Sequence, residues 1–341
     1  MKNKNSRFKT GTASLQPPGR GKFEKQTVLK FLAACKAGGL ARNGKKILIA
    51  VSGGSDSAAM AALASKLKNK TAVAYIDHKL RSDSKNEKEF VRKLASRFKM
   101  PFYTKSFDVA RTARVSGKSV EDCARDARYR LLAGICKKHG MDTIFTGHTL
   151  NDNTETFFLK LLRGGGISSF YGIARQTSIF GVPVGRPLLD FERDELKKYL
   201  AAVHLPFMTD KSNKNRKFLR NKIRLDLIPF LEKLFGKSAL KHISALRGQA
   251  EDLEKLVYET ATELRKKAAK GKLDNSVYLS YNKFLRKCFL SEFVGKQANS
   301  RYIDKIDRFI SSGKGGAFKL KNTDLTIKKG VMYKRRKNET S

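Results

Sequence analysis

A chain of 341 residues with 40% hydrophobic content can bury one large core or two ordinary ones. Its 72 Lys and Arg against 31 Asp and Glu leave a formal charge of +41, far more than solubility requires, which points to a polyanionic partner such as nucleic acid. Anionic membrane is the competing partner, but no run of about 18 apolar residues exists, so no membrane span is expected.

Residues 1–22 carry Lys2, Lys4, Arg7, Lys9, Arg20 and Lys22 without an acid or an apolar stretch. That is not a secretory signal; it reads as a basic disordered tail or a transit peptide. Pro17-Pro18-Gly19 separates it from a helix expected over 23–37. Strands and helices then alternate: strand 45–51, helix 57–67, strand 72–76, helix 86–98, strand 102–106, helix 119–138 and a strand from 143. This rhythm predicts an α/β fold with a doubly wound parallel sheet. Ligands of such sheets sit past the carboxyl ends of the strands. Beyond residue 229 a charged helix over 237–268 and strand-like segments at 317–320, 325–328 and 331–333 predict a smaller α+β domain. The organisation expected is therefore a tail (1–22), a catalytic domain (23–228) and a linker helix with a C-terminal domain (229–341). The basic Lys334-Arg335-Arg336-Lys337 is either a phosphate contact or a solvated end. Cys35, Cys123, Cys136 and Cys288 form no C-x-x-C. That argues against a zinc ribbon or a cysteine-held cluster and fits a reducing, cytoplasmic compartment.

The loop Ser52-Gly53-Gly54-Ser55-Asp56-Ser57 joins the first strand to an alanine-rich helix. Strand, Gly-Gly turn and helix aim backbone N–H groups at an anion. The serines add hydroxyl donors, and Asp56 can take a metal or orient a donor. No G-x-x-x-x-G-K-[ST] occurs, so this is not a Walker A loop. Asp77-His78-Lys79-Leu80-Arg81 follows the second strand, and Gly147-His148 the fourth. Arg125 and Arg128 share a helical face, either towards phosphates or in salt bridges with Glu121 and Asp122. Asp152 and Glu155, three apart near a helix start, can grip an ammonium or a metal, or cap the helix. That helix ends at Arg163-Gly164-Gly165-Gly166. Arg186-Pro187-Leu188-Leu189 precedes another helix, and Asp210-Lys211-Ser212-Asn213 and Phe218 follow. Arg220-Asn221 and Arg224 form a basic patch, either RNA-facing or on a solvated linking helix.

The 52–57 loop resembles the SGGxDS loop of the N-type ATP pyrophosphatases, the PP-loop family. The segments together, strongly over about 23–229 and weakly to about 333, resemble its tRNA(Ile)-lysidine synthase branch. The resemblance implies an ATP- and Mg²⁺-dependent ligase that joins free L-lysine to C2 of the wobble cytidine of the CAU-anticodon isoleucine tRNA. The route implied is an adenylated cytidine, releasing pyrophosphate and then AMP, and shifting decoding from AUG to AUA. It assigns ATP to Ser52, Gly53, Gly54, Ser55, Asp56, Ser57, Asp77, His78, Arg125 and Gly147, with Asp56 also holding the metal. It assigns catalysis to Asp56, His148, Asp152 and Glu155, lysine recognition to Asp152 and Glu155, and tRNA contact to Arg128, Arg220, Asn221 and Arg224. The C-terminal domain is expected to bind tRNA; a homodimer is left open. Ser55 stands where the family usually has an apolar residue and Gly147 where it usually has Ala; Leu150, Asn151 and Asn153 also vary. The second C-terminal domain of the larger members finds no match here. Rival readings are a tRNA thiolase, which would need paired cysteines, a glutamine-dependent amidating enzyme, and a non-catalytic RNA-binding protein.

Overall fold

The structure, a computed structural model, describes residues 20–79, 84–117, 119–163, 172–209, 216, 219–236, 238–268, 271–294, 300–320 and 323–336. Expectations resting on residues 1–19, Leu80 and Arg81, Gly164-Gly165-Gly166, residues 210–213, Phe218 and Lys337 lie outside the described residues. The chain divides into two compact units, Met1–Arg247 and Gly248–Ser341.

The first unit begins with α1 (Arg20–Ala37) and β1 (Ile47–Ala50), then α2 (Ser55–Ala64), β2 (Thr71–Asp77), α3 (Ser84–Arg97) and β3 (Phe102–Ser106). It continues through α4 (Val109–Ser116), α5 (Val120–His139), β4 (Thr143–Thr146), α6 (Leu150–Leu162), β5 (Gln176–Ile179), β6 (Val182–Gly185) and α7 (Arg193–Ala202). The sheet order is β3-β2-β1-β4-β6-β5, parallel except for β5. Central β1 and β4 are almost wholly buried, as parallel strands covered by helices on both faces must be. The alanines of α2 make this covering close: Ser57 through Ala64 are all buried, because small side chains let the helix approach the sheet. The chain leaves β1 in both directions, to β2 and β4. The strand order reverses there, and a crevice opens past the carboxyl ends of β1 and β4.

Two features depart from the simple alternation. Residues 176–185 form a hairpin turning on Phe180 (φ 51°) and Gly181 (φ 77°), so the sheet gains an antiparallel edge. Two consecutive positive φ values match the tight hairpin turn whose twist suits the strands. Helix α4 is the other addition: Asp108 accepts from the Arg111 N–H at its start, and left-handed Gly117 ends it.

A short helix α8 (Leu219–Lys222), a π-type turn over Ile223–Leu227 and α9 (Ile228–Phe235) follow, then the 29-residue α10 (Ala239–Lys267). The second unit adds β7 (Lys272–Asp274), α11 (Asn275–Leu279), α12 (Lys283–Val294), α13 (Ser300–Ser311), β8 (Gly316–Lys319), β9 (Thr323–Lys328) and β10 (Val331–Arg336). Its strands make an antiparallel sheet ordered β7-β10-β9-β8. Phe289, Leu290, Ile306, Ile310, Leu325 and Met332 sit in its own core. Buried Asp307 accepts from the Tyr278 hydroxyl (2.7 Å) and from Arg286 Nε (2.9 Å), so that carboxylate is not stranded. No helix among the described residues is long and apolar enough to cross a membrane.

Candidate active site

The loop after β1 is held open by its own serines. Ser57 Oγ donates to the Gly54 carbonyl (3.0 Å) and accepts from the Ser52 N–H (3.2 Å). Gly53 takes φ +92°, a conformation natural to glycine, and its carbonyl accepts from Met208 N–H (2.9 Å). Gly54 is the N-cap of α2 and makes no side-chain cap. The helix therefore begins with amides available to an anion. Gly147, after β4, packs against this loop: a Cβ there would lie 3.2 Å from the Asp56 backbone. Even the methyl of an alanine there requires the loop backbone to give by a few tenths of an ångström.

Beside the loop lies an ionic cluster. Asp56, Asp152 and Glu155 face Arg193, Arg220 and Arg224. Arg193 reaches all three acids: Nε to Asp56 Oδ2 at 3.0 Å, Nη2 to Asp152 Oδ1 at 3.2 Å and Nη1 to Glu155 Oε1 at 3.7 Å. Arg220 donates from Nη2 to Asp152 (3.1 Å) and from Nε to Glu155 (2.7 Å). Arg224 grips Glu155 with Nε at 2.6 Å and Nη2 at 3.1 Å. Glu155 has no exposed side-chain surface. A buried carboxylate is tolerable only with such partners.

Local structure explains the placement. Thr149 and Asp152 form a reciprocal capping box at the start of α6, Asp152 Oδ2 accepting from the Thr149 N–H at 2.9 Å. Asp152 thus caps the helix with one oxygen and turns the other to the arginines. Glu155, one turn on, makes no cap and serves the cluster alone. Arg220 and Arg224 are four residues apart, so both project from one side of the helix. Arg224 lies within the π-type turn over Ile223–Leu227, and such turns recur at functional sites. Arg193 is fixed where α7 starts: its N–H donates to Asn151 Oδ1 (2.8 Å), and Leu150 N–H donates to the Phe191 carbonyl (3.0 Å). These bonds tie the starts of α6 and α7 together.

The electrostatics follow the geometry. Burial pushes the Asp56 carboxyl up, with Arg193 opposing and Asp152 reinforcing it. Asp152 also suffers burial, but Arg193, Arg220 and His148 outweigh it and bring it down to about 2. It is therefore a poor proton acceptor while these partners stay in place. Burial depresses His148 to about 3; Arg186, Arg128 and Arg220 add to the fall and Asp152 opposes it. The imidazole is neutral at physiological pH, with Nδ1 2.9 Å from Thr146 Oγ1. Consequently His148 should contribute no ionisation between pH 5 and 8 to an activity profile, and His148→Asn should change the rate without changing the profile's shape. An inflection near pH 6.5 that vanishes in the variant would contradict this. For stability, the unfolded chain protonates this histidine below about 6.5 while the folded one does so only near 3. It therefore weakens the fold progressively as pH falls through that window.

The remaining sequence-derived positions lie around this centre. Asp77 ends β2, and its carboxylate accepts from the Lys79 N–H (2.8 Å); His78 follows at the same sheet edge. Arg125 and Arg128 both lie against Tyr129, each 5.4 Å from the ring centroid, and no ion pair with Glu121 or Asp122 is formed among the described residues. Asn221 is half-buried on α8. Asp56 offers a single carboxylate for Mg²⁺, and no group of three or more His, Cys, Asp or Glu that could hold a metal forms among the described residues. One carboxylate plus substrate phosphates is a common way to hold this ion, so the site fits it. Arg193 is the residue that sequence reasoning missed. Its signal was a cation at the start of the helix after Arg186-Pro187-Leu188-Leu189, which only proximity to α6 makes meaningful.

A model of the PP-loop domain matches residues 23–231. A tRNA(Ile)-lysidine synthase of Thermus thermophilus is 38% identical over 207 residues, 60% of this chain and 40% of that protein. One from Chlorobaculum tepidum is 34% identical over 238 residues, covering 68% of this chain and 70% of the relative. One from Petrotoga mobilis is 28% identical over 313 residues, 90% and 96% of the two chains. The chain thus spans less than half the length of the Thermus relative and almost all of the Petrotoga one. In fold, the U34-tRNA thiolase NcsA from Methanococcus maripaludis with its [4Fe-4S] cluster is similar at a TM-score of 0.57 and 16% identity, over 68% of this chain and 80% of that one.

Proposed function

Because the chain belongs to the PP-loop domain family and, within it, to the tRNA(Ile)-lysidine synthases, we propose that it joins free lysine to C2 of the wobble cytidine of a CAU-anticodon isoleucine tRNA, using ATP. The observation that carries this reading is the pair of carboxylates, Asp152 and Glu155, set in a buried cluster that Arg193 links to Asp56 of the phosphate loop. Adenylation and amine capture are thereby neighbours.

The residues suggest a division of labour. Loop amides of residues 52–57 and the start of α2 receive the phosphates and stabilise the charge on departing pyrophosphate. Magnesium, bound with the nucleotide at Asp56, supplies further neutralisation of phosphate charge. The cytidine C2 oxygen attacks the α-phosphate, which converts a poor leaving group into AMP. A lysine side chain has a pKa near 10.4, so only roughly one molecule in 2,500 is a neutral nucleophile at pH 7. Asp152 and Glu155 hold the ammonium, and the site must then take its proton. In the structure both acids are already occupied by guanidinium groups. Lysine therefore enters by displacing part of that pairing, and the freed arginine becomes available to an anion. Withdrawal of Arg220 or Arg193 from Asp152 also raises its basicity, which suits it to accept the proton.

The test is incubation with ATP, Mg²⁺, labelled lysine and unmodified CAU-anticodon isoleucine tRNA. Label retained on the tRNA, dependent on ATP and mapped to the wobble cytidine, is the expected result. AMP and pyrophosphate without lysine transfer would keep the loop chemistry and reject the nucleophile. Absence of ATP turnover by folded protein would favour an RNA-binding role. The fold likeness to a thiolase gives that alternative no residue-level support, since Cys35, Cys123, Cys136 and Cys288 form no C-x-x-C and the first three are buried.

A further inference from the structure

Arg220 also lines a cavity of about 430 Å³. Among the described residues it is lined by His148 and by five cationic side chains, Arg125, Lys160, Arg163, Arg186 and Arg220, and by no carboxylate. Its other walls are the β5 edge and residues 172–174. The phosphate loop of residues 52–57 is not part of it.

Arg186 makes the cavity a built site rather than a basic surface. It is only 3% exposed. Nη1 donates to the Ala174 carbonyl at 2.6 Å, while Nε is buried with no hydrogen-bond partner. The Tyr129 hydroxyl is buried beside Arg186 and Arg128. Burial lowers the pKa of both Arg186 and Arg128; the neighbouring Tyr129 hydroxyl opposes the fall and Arg125 adds to it. A buried guanidinium such as that of Arg186, with a tyrosine hydroxyl rather than a carboxylate beside it, is short of countercharge, which an anionic ligand would bring. The wall is firm: Asn153 Oδ1 accepts from Ile173 N–H (2.7 Å), and Lys160 Nζ donates to the Gly172 carbonyl (2.6 Å).

We propose that this cavity is a second phosphate subsite, separate from the pyrophosphate loop, and that it takes a backbone phosphodiester of the RNA beside the target nucleotide. The proposal rests on the tRNA-modifying reading above. Two observations favour RNA over the nucleotide. The cavity excludes residues 52–57, and its cations run from buried Arg186 to exposed Arg163 and Arg125 at the mouth, the path of a strand entering from solvent. Arg220 forms the wall shared with Asp152 and Glu155. A phosphate here would draw Arg220 from the acids that lysine must reach, so RNA binding would prepare the lysine site.

The test measures binding of unmodified CAU-anticodon tRNA over a salt series for the full chain and for Arg186→Gln and Arg163→Gln. ATP affinity is measured on the same proteins. Each variant should weaken RNA binding by about three- to tenfold and reduce the slope of log K against log salt by about 1. ATP affinity should change less than twofold. A tRNA with a neutral methylphosphonate linkage next to the target base should lose affinity for the unaltered chain and lose little more in the variants. Arg163 is exposed, so its variant decides the matter if Arg186→Gln does not fold. Unchanged RNA affinity and slope would overturn the proposal. So would loss of ATP affinity in step with RNA affinity, which would give the cavity to the nucleotide. Lysine transfer by the unaltered chain, measured separately, tells failure of the subsite from failure of the functional reading.

Discussion

Replacing Glu155 by Gln should abolish lysine transfer while leaving ATP binding in place. The substitution preserves shape and removes one charge. Glu155 has no exposed side-chain surface and receives Arg220 and Arg224 at 2.7 Å and 2.6 Å. Neutralising it leaves two guanidiniums short of countercharge where water cannot replace it. Removing one partner of a buried pair typically destabilises by about 3–5 kcal/mol. The thermal midpoint should therefore fall by at least several degrees, and turnover with lysine should drop by about a thousandfold or more, on the scale of losing a group that acts on the reacting atoms. The variant should still bind ATP, because none of the hydrogen bonds that shape the loop of residues 52–57 comes from Glu155. Transfer within tenfold of the unaltered chain would show that this carboxylate is structural only. Arg220→Gln provides the complementary measurement: it should restore part of the lost stability when combined with Glu155→Gln, since the stranded charge disappears with it.

The second large effect is expected from Asp56→Asn. Asp56 sits at the start of α2, accepts from Ser55 Oγ at 3.0 Å and pairs with Arg193 at 3.0 Å. Its amide counterpart fits the same space but cannot hold a divalent cation with comparable strength, nor balance Arg193. ATP-to-AMP turnover should be lost, by about a hundredfold or more, whereas affinity for tRNA should change little, because the cationic side chains are untouched. Surviving turnover would remove Asp56 from the chemistry. Loss of tRNA affinity in parallel would mean that the substitution disturbed the site's folding. Across all variants, tRNA binding should weaken steeply as salt rises, since many Lys and Arg release counterions on contact; a flat response would argue against phosphate contact.

Much of the first unit was legible because its signals are local. The apolar run at 47–50, the Gly-Gly turn and the alanines of α2 define a strand, a loop and a helix by propensity and φ preference. Repetition of that unit implies a parallel sheet on general topological grounds. The hairpin at 176–185 and helix α4 were less visible. Val182-Pro183-Val184-Gly185 is too short for periodicity to distinguish a strand, and α4 has only eight residues between its caps.

For the site, the sequence by itself determined which chemical groups are present and their local spacing: the loop of residues 52–57, Asp152 and Glu155 three apart, Arg220 and Arg224 four apart. Spacing within a helix establishes a shared face, but not what that face meets. Only the tertiary structure decided that Asp152 both caps α6 and meets Arg193, that Glu155 is fully buried between two arginines, and that Arg193 spans from α7 to Asp56. It also placed Arg186, from a separate segment, with its Nε out of water and without a partner. The physical reason is that charge pairing and desolvation depend on distances through space between segments far apart in the chain, whereas propensity, capping and periodicity act over a few neighbouring residues.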